Sequence, residues 1–170
     1  MSAALLIARL YFGLGLASHG TQKLFGWFGG HGLEATSGFF DQLGFRPGRL
    51  FAAAASLGEI TGGLLAALGL LGPVGPALAL LVMIVAAATV HFRNGFFAMN
   101  NGIELPLLYG AGALVLAFAG PGDYSLDRAL GLSWLTSDRS AWIAIAVAVV
   151  VAALNIVTRH PSKQPSAQAA

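Results

Sequence analysis

The sequence predicts an all-α membrane protein, a four-helix transmembrane bundle followed by a fifth, C-terminal transmembrane helix. Three observations support this prediction. Of 170 residues, 56% are hydrophobic and 9% are charged, and the mean hydropathy is +0.76, unlike a soluble globular domain. The apolar stretches are about 20 residues long, the length that crosses a bilayer core. They lack the alternation of β-strands, which favours helices over a barrel.

The predicted spans follow from five apolar stretches, at residues 3–22, 50–72, 74–93, 103–120 and 140–158. The first has no preceding basic segment and contains Arg9, so we interpret it as a retained span and not as a signal peptide. The linker LGPVGP is short enough to force the second and third spans into an antiparallel hairpin. In the longer loop before them, Leu33, Phe40 and Leu43 share one side of a predicted amphipathic helix at the membrane surface.

The charge and cysteine content exclude several classes of function. The chain has no cysteine, so it carries no disulfide, thiolate metal site or dithiol relay of its own. Its net charge of +2 comes mostly from residues at span ends, which fits lipid headgroups better than nucleic acid. Five spans place six basic residues on one side, which the positive-inside rule assigns to the cytoplasm: Lys23, Arg46, Arg49, Arg93, Arg159 and Lys163.

Ionisable residues inside the predicted spans are the functional candidates, because a charge in hydrocarbon must face the bundle interior and find a partner. They are Arg9, His19, Glu59, His91 and Glu104. Glu59 lies about nine residues into its span, or roughly 14 Å, near the middle of the membrane. Arg9 is also deep in the antiparallel neighbouring span. We therefore predict a structural ion pair between Arg9 and Glu59.

The alternating directions of the spans predict a polar cup at one membrane face. His19 and Lys23 are four residues apart and share a helical face, which Gln22 flanks. The ends of the first and third spans meet the starts of the second and fourth at this face. The predicted cup consists of His19, Lys23, His91, Arg93 and Glu104, with Glu59 as its floor and Trp27 and Phe28 at its rim. Such a cup can hold a planar or anionic ligand and move protons.

Most of these residues also have a structural interpretation. Lys23 and Arg93 can extend to lipid headgroups, and Trp27 can be an interfacial anchor. Glu104 has capping-box spacing from Asn101. We expect His31 in a surface loop and the uniformly apolar fifth span as a lipid-facing anchor. A metal site among His19, His91, Glu59 and Glu104 is not predicted, because close ligand spacing is missing.

In order and spacing, five motifs resemble the DoxX family of small bacterial membrane proteins: RLYFGLGLASHGTQKLFGWFGGHGLE, ASLGEITGGLLAALGLL, HFRNGFF, GIELPLL and GPGDYSLD. The resemblance covers residues 5–127 and implies a four-helix domain in the bacterial inner membrane. Residues 128–158 are then a connector with an additional transmembrane helix, and the polar residues 159–170 are a disordered tail. The positions carried over from the motifs are His19, Gly20, Gln22, Lys23, Gly26, Glu59, Gly62, His91, Asn94, Gly95, Glu104 and Pro106.

The resemblance implies a quinone-linked redox subunit, because some family members belong to a thiosulfate:quinone oxidoreductase and others are linked to redox stress. For this function, the predicted cup supplies the catalytic candidates His19, Glu59, His91 and Glu104, and the ligand-binding candidates are Gln22, Lys23, Trp27, Arg93 and Asn94. The implied cofactor is a quinone, and the implied partners are the bilayer, a soluble redox protein and a second copy of the chain. Two alternatives stay open: a non-catalytic scaffold for soluble redox enzymes, and a small-solute or proton pathway.

Overall fold

The computed structural model describes residues 2–160, apart from the side chain of Ser133. These residues form helices α1 (Ser2–Phe25), α2 (Gly32–Gln42), α3 (Gly48–Leu68), α4 (Val74–Ala86), α5 (Glu104–Ala119), α6 (Leu126–Leu130) and α7 (Asp138–Thr158). Four helical segments are long and apolar enough to cross a membrane, namely α1, α3, α4 with its extension to Asn94, and α7, whereas α5 is a shorter apolar helix. The predicted all-α membrane fold is confirmed. Most of the predicted disordered tail, from residue 161 onward, lies outside the described residues.

The long helices form a bundle in which α3 packs against both α1 and α4, and α4 also packs against α5 and α7. The predicted α3–α4 hairpin is present, and a helix, α2, occupies the loop in which the amphipathic helix was predicted. The ends of α1, α4 and α7 lie near α2, which defines the α2 face, and the opposite end carries α6 and defines the α6 face. At the α2 face, the His160 N–H donates to the Gly44 carbonyl at 2.8 Å and ties the end of α7 to the α2–α3 loop.

The α1 and α3 backbones touch because glycines meet at their crossing. A Cβ at Gly13 would lie 2.3 Å from the Gly63 oxygen, and a Cβ at Gly20 would lie 2.5 Å from the Ser56 oxygen. Small residues allow this close approach of helices in a bilayer. The contacts also set the register of the antiparallel pair, with Gly13 beside Gly63 and Gly20 beside Ser56.

Small residues also pack α4 against α3 and α7. A Cβ at Gly62 of α3 would lie 3.1 Å from the Gly75 oxygen of α4. On α7, buried residues recur every three or four positions, at Ala141, Ile145, Ala148 and Ala152. This stripe packs α7 into the bundle. The prediction of a simple lipid-facing anchor is therefore wrong for this face of α7.

At the α6 face, Asp127 joins the connector to the α3–α4 turn. Its carboxylate is 1% exposed and accepts hydrogen bonds from the backbone N–H groups of Leu71 (2.8 Å) and Gly72 (2.6 Å). Its own N–H donates to the Gly69 carbonyl at 3.0 Å. The buried Arg9 guanidinium donates to the Tyr124 carbonyl at 2.5 Å. The connector is thus a structural part of the bundle.

Candidate functional site

Glu59 forms its salt bridge with Lys23. The Lys23 Nζ lies 2.5 Å from the Glu59 Oε1, and the side chains are 35% and 2% exposed, respectively. The register of α1 and α3 explains this pairing, because Gly20 faces Ser56 and Glu59 therefore lies beside the last turns of α1. The second carboxylate oxygen, Oε2, is buried without a hydrogen-bond partner among the described residues. The site therefore contains a buried acid with one unused acceptor.

The predicted ion pair between Arg9 and Glu59 is wrong. The Arg9 guanidinium lies against Gly69, which is ten residues from Glu59 on α3, or about 15 Å along the helix axis. The hydrogen-bond partner of Arg9 there is the Tyr124 carbonyl. Both charges are deep in their helices, as expected, but the antiparallel register brings them to different ends of the bundle.

A cavity of about 590 Å³ lies at the α2 face, between α2, α3, α4 and α7. Its volume is within the range typical of small-molecule sites. Its walls are mainly apolar, and they also include six polar side chains: Lys23, His31, Thr36, Thr89, His91 and Asn155. Lys23 and Asn155 are in the last turns of α1 and α7, and His31 directly precedes α2. The cavity therefore has a polar end near the α2 face and an apolar body between the helices.

His91 lies in an irregular helical segment of the cavity wall. After Ala86 the α4 helix widens into a π-helical turn, Ala87–His91, a feature that often marks functional sites. The His91 Nδ1 lies 2.8 Å from the Asn101 carbonyl. Because a carbonyl only accepts, Nδ1 carries the proton in this contact. In the neutral ring, Nε2 is then an acceptor.

His19 and Gln22 lie outside the residues that line this cavity. The His19 Nδ1 is 3.2 Å from the Gln22 Oε1, and its ring meets that of Tyr109 edge-on, with centroids 5.8 Å apart. Gln22 also donates to the Phe28 carbonyl at 3.2 Å, which holds the glycine-rich loop. Trp27 is exposed and packs on Phe25. The structure thus places these predicted site residues around the α1 end and the following loop.

Glu104, Asn94 and Arg93 belong to the segment that connects α4 to α5. The Glu104 Oε2 accepts from the Ala98 N–H at 2.7 Å, and Asn94 donates to the carbonyls of Val90 and Asn101. Asn101 has a left-handed backbone (φ 59°) and does not cap α5, so the predicted capping box is absent. Arg93 is exposed. The predicted cup is therefore divided, with Lys23 and His91 at the cavity, Glu59 behind Lys23, and the other members outside its walls.

Sequence reasoning missed several residues that line the cavity. His31 was expected in a surface loop but lies in the cavity wall together with Thr36. Asn155 was part of a segment interpreted as an anchor, although it is a lone amide in an apolar helix, which was an available signal. Its Nδ2 donates to the Val151 carbonyl at 2.8 Å, which leaves its oxygen to accept from a ligand.

Together, the fold and the cavity define a multi-pass α-helical membrane protein with a partly polar cavity at one face. The family model described as DoxX matches residues 4–92, and the chain belongs to the DoxX family. The matched residues include α1 to α4 and the π-helical turn, so they supply most of the cavity wall. The α7 wall lies beyond them. Comparisons with curated proteins and with solved structures found no match to the chain.

Proposed function

We propose that this protein binds a membrane quinone in the 590 Å³ cavity and acts as a quinone-linked redox subunit in a bacterial inner membrane. The observation that carries the proposal is the polarity of the cavity, which has donors and acceptors at one end and an apolar body. A quinone matches this arrangement, because it has a planar ring with two carbonyl oxygens and an apolar tail. The ring would lie at the polar end, within reach of Lys23, His31 and His91.

The residues present fit such a group. The Lys23 ammonium lines the cavity and is held from behind by Glu59, so it can donate to a ring oxygen while its charge stays balanced. His91 is oriented by the Asn101 carbonyl, so its Nε2 would accept the O–H of the reduced quinol or, in the protonated ring, donate to the second quinone oxygen. A quinone supplies two-electron redox chemistry coupled to two protons. Lys23, with Glu59 behind it, and His91 are the groups that would hold those protons.

The source of electrons is also part of the proposal. The chain has no cysteine, so a protein dithiol in this chain cannot supply them. We propose that a small reduced sulfur anion such as thiosulfate or sulfide, or a soluble redox partner protein, supplies them. Because Glu59 neutralises Lys23, the group that would attract an anion to the α2 face is Arg93, an exposed cation there.

The test is purification in a mild detergent, followed by mass spectrometry of extracted quinones and a quinone-reduction assay with thiosulfate or sulfide. We expect bound quinone in the wild type and a loss of binding of about tenfold or more in His91→Gln, on the scale of one to two lost hydrogen bonds. His160→Gln is the matched control, because His160 is exposed at the same face and does not line the cavity. Absence of quinone and of turnover in a folded wild type would contradict the proposal and favour a non-catalytic scaffold.

A further inference from the structure

A second hollow lies next to the cavity, along α4 and α7. This second hollow has a volume of about 410 Å³ and is walled by Val74, Ala77, Ala144 and Val147, among others. Leu78 and Leu81 line both hollows. We call the second hollow the α4–α7 groove. The shared leucines place the groove directly beside the cavity, on its α6 side.

One continuous stripe on each helix lines the two hollows. On α4 and the π-helical turn that follows it, the stripe is Val74, Leu78, Leu81, Val85 and Thr89, and on α7 it is Ser140, Ala144, Val147, Val151 and Asn155. Steps of three and four residues keep each stripe on one helical face. Both helices run from the α6 face to the α2 face, so the stripes lie side by side. From Val74 to Thr89 they extend about 23 Å, most of a hydrocarbon core of about 30 Å.

We propose that the α4–α7 groove holds the apolar tail of the ligand whose ring occupies the cavity, so that the substrate is a long-tailed isoprenoid quinone. This inference rests on the proposed function. The polar lining is concentrated at the α2 face, whereas the groove wall is apolar apart from Ser140 and peptide groups. A ring bound at the polar end therefore directs its tail into the groove. The small side chains of Ala77, Ala144 and Ala148 leave the space that the tail requires.

The test compares two quinones with the same ring, one with a full-length isoprenoid tail and one with a single isoprene unit. Binding to the full chain in nanodiscs is measured as a mole fraction of lipid, because both quinones partition into the bilayer. Ala144→Phe fills the groove without entering the cavity wall. Ala146→Phe is the matched control, because Ala146 is exposed on the same helix and lines neither hollow.

We expect the wild type and Ala146→Phe to prefer the long-tailed quinone, and Ala144→Phe to lose that preference by about tenfold through the lost burial of several methylene groups. Binding of the short-tailed quinone should stay unchanged in all three proteins. If both quinones bind the wild type equally, or if Ala144→Phe displaces only phospholipid in native mass spectrometry, the tail assignment is overturned while the quinone site survives. If neither quinone binds the wild type, the proposed function and the tail assignment both fail.

Discussion

At the scale of single residues, the Lys23–Glu59 pair is asymmetric. Glu59 is 2% exposed and Lys23 is 35% exposed, so Lys23 can extend toward headgroups when its partner is lost, whereas Glu59 cannot leave the protein interior. Loss of Lys23 therefore leaves the buried Glu59 carboxylate without its ion-pair partner. Loss of the Glu59 charge removes a costly buried group together with its bond.

We accordingly predict that Lys23→Met lowers the free energy of unfolding by about 3–5 kcal/mol. Glu59→Gln should cost about 1 kcal/mol, and the double variant Lys23→Met/Glu59→Gln should recover most of the loss. The measurement is unfolding in detergent, with Arg93→Met as a control because Arg93 is an exposed cation at the same face. Equal effects of the two single substitutions would show that Glu59 is uncharged or hydrated in the folded protein.

Asp127 is the second buried carboxylate with a structural role. Its carboxylate accepts two backbone hydrogen bonds from the α3–α4 turn, and hydrogen bonds to a charged group contribute about 1.5–3 kcal/mol each. Asp127→Ala should therefore lower the free energy of unfolding by about 3 kcal/mol or more. Asp123→Ala is the control, because Asp123 is exposed and its carboxylate bonds to the Ser2 hydroxyl at the chain start. We expect its cost to be below about 0.5 kcal/mol, and similar thermal shifts for both variants would contradict a structural role for Asp127.

At the scale of elements, the α1–α3 crossing depends on glycine. A Cβ at Gly13 would lie 2.3 Å from a backbone oxygen of α3, whereas a Cβ at Gly38 of α2 would have no heavy atom within 4 Å. We predict that Gly13→Ala destabilises the protein by about 1–3 kcal/mol through overpacking. Gly38→Ala should stabilise it by up to about 1 kcal/mol, because alanine lowers the entropy of the unfolded chain. Thermal unfolding of both variants is the measurement, and a harmless Gly13→Ala would mean that the helices are further apart than described.

The elements also show what the sequence can predict. The positions of the spans follow from length and hydropathy, because the bilayer imposes both, and the hairpin follows from its short linker. The partner of Glu59 could not be predicted in this way, because it depends on the register between α1 and α3. That register is set by backbone contacts at Gly13 and Gly20, and a hydropathy profile carries no information about them. The packing of α7 depended on the stripe Ala141, Ile145, Ala148 and Ala152, which hydropathy does not reveal because the remaining positions of α7 are also almost all apolar.

At the scale of the whole molecule, α5 decides the topology. It has 16 residues, or about 24 Å, which is shorter than a hydrocarbon core of about 30 Å. Its neighbours place its start at the α2 face, with α4, and its end at the α6 face, beside the connector. If α5 crosses, five helices cross in all, and the two ends of the described chain lie on opposite sides of the membrane.

The absence of native cysteine makes this topology directly measurable with single cysteines. Met99 before α5 and Leu130 after it are 89% and 63% exposed, and His160 follows α7. We predict that Met99→Cys and His160→Cys react with an impermeant maleimide only when the cytoplasmic side is accessible, because Lys23, Arg46, Arg49, Arg93 and Arg159 mark that side. Leu130→Cys should react from the periplasmic side. Labelling of Met99→Cys and Leu130→Cys from one side would mean that α5 does not cross. The polar end of the cavity lies at the α2 face, so labelling of Met99→Cys and His160→Cys from the cytoplasmic side would place the entry of the proposed anionic electron donor in the cytoplasm.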